Sequence, residues 1–309
     1  MAKRKKKRGG TLVAPPEHPI LPGLISPRRP VPASIPRPLY AVSGDPGPTI
    51  SSPVRTEEEI ARMRTTGTAA AEILMKAGEM VAPGVSTDAI DALVHEEILK
   101  RGGYPSPLNY RGFPKSVCTS VNEVICHGIP DSRQLRDGDI INIDVTIFLD
   151  GVHGDTSTTF LVGDVEPDSI KLVRETHKAM YLGIASVHHG SKVNEIGRAI
   201  ENHANTHNLG VVREFIGHGV GTEFHTSLQI PHYYEPRLNV IIERGMSFTV
   251  EPMLCLGRPE MFIWDDDWTA LTRDGSRTAQ FEHTMICTDD GVELMTVTDD
   301  GSCAHQIYD

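Results

Sequence analysis

The stretch Ile140-Ile-Asn-Ile-Asp-Val-Thr-Ile-Phe-Leu-Asp-Gly-Val-His-Gly-Asp-Thr-Ser-Thr-Thr-Phe-Leu161 carries the reading of this chain. Two β-rich runs, Ile140 to Phe148 and Val152 to Leu161, flank Asp150-Gly151, a dipeptide suited to a two-residue hairpin turn. With the turn there, Leu149 faces Val152, and counting back sets Asp144 opposite Ser157. Asp155 then shares a face with Asp144 as its diagonal neighbour, roughly 7–8 Å away at the backbone. The flanks read as buried, and a buried carboxylate is costly without a partner, so a shared cation is the expected one. The plain alternative is two solvated acids on an exposed strand face.

Three more segments extend the set: Gly217-His-Gly-Val-Gly221, Thr249-Val-Glu-Pro-Met253 and Gln280-Phe-Glu-His-Thr284. His218, Glu251 and Glu282 join Asp144 and Asp155 as four carboxylates and one imidazole. Hard oxygen donors with a single nitrogen suit two divalent cations of the Mn, Fe, Co or Zn kind, whereas a structural zinc would call for thiolates. Taken one at a time these three are weaker signals: a lone histidine or acid is as readily an ordinary surface or core residue.

The chain has 309 residues and a net charge of −11, unevenly placed. Its first fifty residues carry nine Lys or Arg against two acids, about +7, leaving about −18 for the rest. An acidic body fits a carboxylate-rich cation site and argues against gripping nucleic acid. Five cysteines without CxxC spacing point to a reducing compartment. There is no run of 18 apolar residues, and no apolar core follows the basic start Lys3-Arg-Lys-Lys-Lys-Arg8. The expectation is a cytoplasmic monomer with no membrane partner.

Residues 1–53 hold 12 of the 22 prolines and form a basic, proline-rich N-terminal extension. Such a segment favours extended conformations and cannot bury enough surface to fold alone. It reads as a flexible tail, partly laid across the body, or as a docking arm. The arm would use Pro19-Ile-Leu-Pro22, Pro27-Arg-Arg-Pro30 or the basic run for the ribosome or another acidic partner. A cleaved organelle-targeting peptide is a third option. Residues 54–309 form the folded domain that carries the five candidate ligands.

Within that domain Thr56-Glu-Glu-Glu59 is a capping box opening a helix to about Ala77, with Ile60, Met63, Ala70 and Leu74 inward. A second helix runs from Thr87 or Asp88 to Lys100. Strand-like runs follow at Val117 to Thr119, Gly128 to Pro130, Ile140 to Phe148 and Val152 to Leu161. Helices over Asp168 to His188 and Val193 to His207 come next. Strands near Leu228 to His232, Ser247 to Leu256, Thr269 to Thr272 and Thr278 to Thr288 close the chain. The order helix-helix-strands, given twice, suggests two similar α+β halves around an antiparallel sheet.

Together these segments, with Tyr110-Arg-Gly-Phe-Pro-Lys-Ser-Val-Cys118, Ser120-Val-Asn-Glu-Val-Ile-Cys-His-Gly-Ile-Pro130 and Phe224-His225, resemble the methionine aminopeptidases of type I. The resemblance spans most of residues 56 to 297. It implies the α+β pita-bread fold, two pseudo-symmetric halves around a curved antiparallel sheet. It also implies removal of the N-terminal methionine from nascent polypeptides whose second residue is small, by metal-activated water.

By the same resemblance Asp144, Asp155, His218, Glu251 and Glu282 hold two divalent metal ions, with Asp155 and Glu282 bridging. Glu251 is the general acid/base, His225 meets the substrate carbonyl oxygen, and His127 contacts the peptide near the scissile nitrogen. Tyr110, Phe113, Cys118, Phe224 and Trp268 line the slot for the methionine side chain, where aromatic rings suit a thioether. The chain departs from the family at several points. It lacks the N-terminal zinc-binding cysteines of eukaryotic type I enzymes, and the His218–Glu251 gap is too short for the type II insertion. Pro107 and Arg111 stand at the pocket rim where cysteine and histidine are common. The competing readings are a proline-directed relative on the same scaffold, which would carry a larger N-terminal domain, and an inactive scaffold serving as a binding module.

Overall fold

The computed structural model describes residues 19–305. A one-turn helix α1 (Tyr40–Ser43) precedes two longer ones, α2 (Glu57–Glu79) and α3 (Thr87–Lys100). The capping box is present: the Thr56 hydroxyl accepts the Glu59 N–H, and the Glu59 carboxylate accepts the Thr56 N–H at 2.8 Å. Then come β1 (Tyr104–Pro105), β2 (Cys118–Val121), β3 (Val124–Cys126), β4 (Ile140–Leu149) and β5 (Val152–Leu161). The second half repeats the order with α4 (Pro167–Ile184) and α5 (Val193–Thr206). Its strands are β6 (Gly210–Val211), β7 (Gly217–His218), β8 (Gln229–Ile230), β9 (Ser247–Val250) and β10 (Met253–Cys255). They continue as β11 (Met261–Ile263), β12 (Ala270–Thr272), β13 (Thr278–Gln280), β14 (His283–Cys287) and β15 (Val292–Leu294).

Every strand pair is antiparallel, and β4 is central to the first half, between β2 and β5 with β1 at one end. The expected register holds: Leu149 pairs with Val152, Asp144 with Ser157 and Thr146 with Asp155. Alternation then divides β4 by function. Ile141, Ile143, Val145 and Ile147 enter the core beneath α2 and α3, while Asn142, Asp144 and Thr146 take the other face. A second core lies beneath α4 and α5 and takes in Phe248, Val250, Leu254 and Phe281.

Several expected elements differ, for local reasons. The two long C-terminal strands are each interrupted at the acid they carry. Pro252 has no N–H to give the ladder, so β9 stops before Glu251 and β10 resumes at Met253. Glu282 falls between β13, which pairs with β10, and β14, which pairs with β9. There its backbone exchanges hydrogen bonds with Ser157 of β5, at 3.0 and 3.4 Å. The run Gly128–Pro130 is not a strand, because His127 adopts a left-handed φ of 57° and ends β3. Helix α4 ends at Ile184 rather than His188, where the Ser186 hydroxyl donates to the Gly183 carbonyl at 2.7 Å.

The described part of the extension lies first against the first half and then reaches the second, where the Ile50 and Ser51 N–H groups donate to Glu223 at 3.0 Å. The Ile20 N–H donates to Glu123 at 2.5 Å and the Gly23 N–H to Asp131 at 2.6 Å. Arg29 pairs with Asp88 and Asp91 at 3.0 and 2.9 Å, and the buried Tyr40 hydroxyl donates to the Ser106 carbonyl at 2.8 Å. A proline-rich strip has few backbone bonds of its own, so side chains of the body hold it. The basic run Lys3–Arg8 lies outside the described residues.

Candidate metal centre

Strand pairs from both halves bring the acids together. The β4–β5 hairpin presents Asp144 and Asp155, and Cys118 of β2 sits opposite Asp144 on the same face. The breaks at Glu251 and Glu282 supply the other two carboxylates, and β7 supplies His218. His218 Nε2 lies 3.6 Å from both Asp155 Oδ2 and Glu251 Oε1. One donor atom from each of Asp155, His218 and Glu282 falls within 4.8 Å of the others.

Burial in this arrangement is electrostatically unfavourable without cations. Burial, then the neighbouring carboxylate charges, pushes Asp144, Glu251 and Glu282 well above the usual carboxylate range, and burial pushes Asp155 up to about 6. The Asp144 and Asp155 carboxyls hydrogen-bond each other, and Asp144 Oδ1 is buried with no hydrogen-bond partner. His218 Nδ1 faces the Gly219 carbonyl at 3.2 Å, which places the proton on Nδ1 and leaves the Nε2 lone pair toward the carboxylates. Burial holds that imidazole down to about 4, so it is neutral at pH 7. An orphaned oxygen, carboxylates whose charge is costly without a counter-ion and a neutral imidazole together fit divalent cations.

A second set of side chains orients these groups. The Thr146 hydroxyl donates to Asp155 Oδ1 at 2.6 Å, and the Thr249 hydroxyl to Glu251 Oε1 at 2.8 Å. Gln280 Nε2 donates to Glu251 Oε2 at 3.2 Å, and the Glu251 N–H donates to His232 Nε2 at 3.1 Å. Gln280 and His232 were not singled out from the sequence. Gln280 lies two residues before Glu282, but the strand break between them hides any periodic link.

The centre forms the floor of a cleft of about 390 Å³ that is lined by all the sequence-derived site residues. Phe224 packs edge-on to Tyr110 with ring centroids 5.0 Å apart, and Phe113 edge-on to Trp268 at 5.1 Å. Cys118 completes the wall as a thiol, because burial raises it well above its ordinary value. His225 lies 4.0 Å from the His218 ring with its Nδ1 buried and unpartnered, and burial keeps it neutral. His127, lowered to about 4 by burial, sits edge-on to Phe215 and Trp268 at 5.1 and 5.9 Å. Phe215 and Cys126 also line the cleft and were missed as pocket residues. Phe215 stands three residues before His218 in a motif read only for its histidine.

A buried carboxylate centre beneath an apolar cleft with neutral imidazoles at its side defines a metal-dependent hydrolase. The chain belongs to metallopeptidase family M24, whose profile matches residues 61–289. It is 51% identical to methionine aminopeptidase 2 of Mycobacterium tuberculosis over 277 residues, 89% of this chain and 96% of that protein. The crystal structure of methionine aminopeptidase from Rickettsia prowazekii superposes with a TM-score of 0.77 at 45% identity, covering 79% of this chain and 99% of that one. Prolidase from Pyrococcus furiosus shares the fold, with a TM-score of 0.63 at 18% identity over 80% of this chain and 66% of that one. These likenesses establish the pita-bread fold.

Proposed function

We propose that this chain is a methionine aminopeptidase of type I, acting on nascent polypeptides with a small second residue. The observation that carries the reading is the cleft itself: an apolar, thiol- and aromatic-walled slot that opens directly onto the carboxylate floor. A methionine side chain suits such walls, since a thioether packs well against ring edges. The likeness to named methionine aminopeptidases supports the same substrate. The short separation of His218 and Glu251 favours type I over type II.

Asp144, Asp155, His218, Glu251 and Glu282 would hold two divalent ions, from among Co, Mn, Fe and Zn, with Asp155 and Glu282 as the shared ligands. Bound there, such ions activate water and polarise the scissile carbonyl. Glu251, kept basic-natured by burial, takes up and returns a proton at its carboxylate. Neutral His225 donates a hydrogen bond to the carbonyl oxygen, and neutral His127 meets the peptide beside the scissile nitrogen. Tyr110, Phe113, Cys118, Phe224 and Trp268 exclude water and set the depth of the slot. A cytoplasmic, monomeric enzyme whose extension docks to the ribosome or another acidic partner completes the reading. Among the described residues no helix is long and apolar enough to cross a membrane.

The test compares turnover of Met-Gly-Met with that of Xaa-Pro peptides by the metal-loaded protein. Faster cleavage of Xaa-Pro would assign the chain to the proline-directed branch. Inactivity on both with every one of several metals would leave only a binding role.

A further inference from the structure

Away from the cleft, α4 and α5 carry a second constellation of metal-binding side chains. His203 and His207 are one helical turn apart at the end of α5, so both imidazoles project from the same face. Glu175 of α4 faces them with a side chain only 4% exposed. Its Oε2 lies 3.1 Å from His203 Nε2 and 3.4 Å from His207 Nε2, and the two rings are 4.6 Å apart. The three donor atoms fall within 4.8 Å of one another.

We propose that Glu175, His203 and His207 form a zinc-type divalent-cation site that clamps α4 to α5, separate from the carboxylate centre. Tetrahedral zinc has bonds of about 2.1 Å, and the edge of such a tetrahedron is about 3.4 Å. The two nitrogen-to-oxygen separations are already near that edge. Both histidines offer the same nitrogen, Nε2, toward the same oxygen. The positively charged neighbours do not compete for it: Arg174 and Lys178 approach Oε1, at 3.1 and 3.6 Å. Lys171 is directed at the His207 carbonyl, at 3.5 Å.

A second observation points to a cation. His203 lies in the last turn of α5 and His207 caps it, where the helix dipole concentrates negative potential. The donor states agree. Burial, then the His207 charge, lowers His203, so its lone pair is available at neutral pH. Burial works against the ionised Glu175, yet Arg174, His207 and Lys178 hold it below the usual range. Two imidazoles and one carboxylate leave a fourth position for water, reached past His207, whose side chain is 31% exposed. Binding replaces the hydrogen-bonded contact of Glu175 with the two imidazoles by metal bonds between the helices, and it releases whatever protons the imidazoles carry on Nε2.

The experiment titrates Zn2+ calorimetrically into the full-length, chelator-stripped protein. Wild type is expected to take up one equivalent more than His203→Asn/His207→Asn, while that variant, loaded with metal, turns over Met-peptides at the wild-type rate. Asp155→Asn/Glu282→Gln, with the carboxylate centre disabled, is expected to keep one equivalent and to lose it when the two histidine substitutions are added. Glu175→Gln, which preserves shape, should weaken that equivalent at least tenfold. The same stoichiometry in wild type and the histidine variant would overturn the site and leave a hydrogen-bonded cluster only. Retention of the equivalent in the four-fold variant would do so as well. The counts do not depend on which peptide the enzyme prefers.

Discussion

Arg29→Ala tests whether the proline-rich extension belongs to the folded body. Two acids and two bases meet where it crosses α3. Asp91 is wholly buried: its Oδ1 accepts the Ser116 N–H at 2.7 Å, and its Oδ2 receives Arg29 Nε at 2.9 Å with Lys115 Nζ at 3.6 Å. Lys115, also wholly buried, binds Asp88 and the Ser26 hydroxyl, so the cluster is neutral as it stands. Removing Arg29 leaves one uncompensated negative charge inside it. Deleting one partner of a buried pair costs about 3–5 kcal/mol, and an exposed pair is worth about 0–1. Arg29 is 28% exposed and Lys115 stays close to Asp91, so the loss should fall near about 2–3 kcal/mol. Urea denaturation at pH 7 measures it, and limited proteolysis should cut the extension faster in the variant. Arg29→Lys keeps the charge without the two-pronged contact and should recover part of the loss. Arg29 does not line the cleft, so turnover of short peptides should change little. A loss below about 0.5 kcal/mol with unchanged proteolysis would refute the reasoning, because the extension would then be undocked in solution.

Thr249→Val removes the hydroxyl that donates to Glu251 and accepts the His218 N–H at 3.0 Å, so metal affinity or kcat should fall about 10–100-fold; metal titrations and steady-state kinetics measure it. Chelation should abolish turnover and a divalent cation restore it, whereas Asp155→Ala or Glu282→Ala should stay inactive whatever metal is added; near-normal rates would remove those residues from the ligand set. Glu97 is held at about 2, first by a hydrogen bond from Lys100 and then by Lys76 and Arg101. A carboxyl lowered in the folded state stabilises above its unfolded value and loses that contribution as pH falls from about 4.5 toward 2. Glu97→Gln should therefore lower the melting temperature at pH 7 more than at pH 3, and equal effects at both would contradict the assignment.

The parts of this site that were legible in the sequence are those whose geometry is set locally. A two-residue turn at Asp150-Gly151 determines the register of ten residue pairs, so Asp144 and Asp155 could be placed on one face by counting. Glu251 and Glu282 were not open to counting, since each occupies a gap where its ribbon changes partners, and long-range pairing decides where the gap falls. That is also why they serve: an acid inside an unbroken ladder would have its side chain committed to one sheet face. At a break, the side chain is released toward the hairpin that the other acids come from. Motif resemblance found these residues because it records the outcome of that pairing. The helical site at Glu175, His203 and His207 escaped both approaches, for its two histidines are periodic but their carboxylate lies on another helix, 28 residues before His203. Only the packing of α4 against α5 joins them.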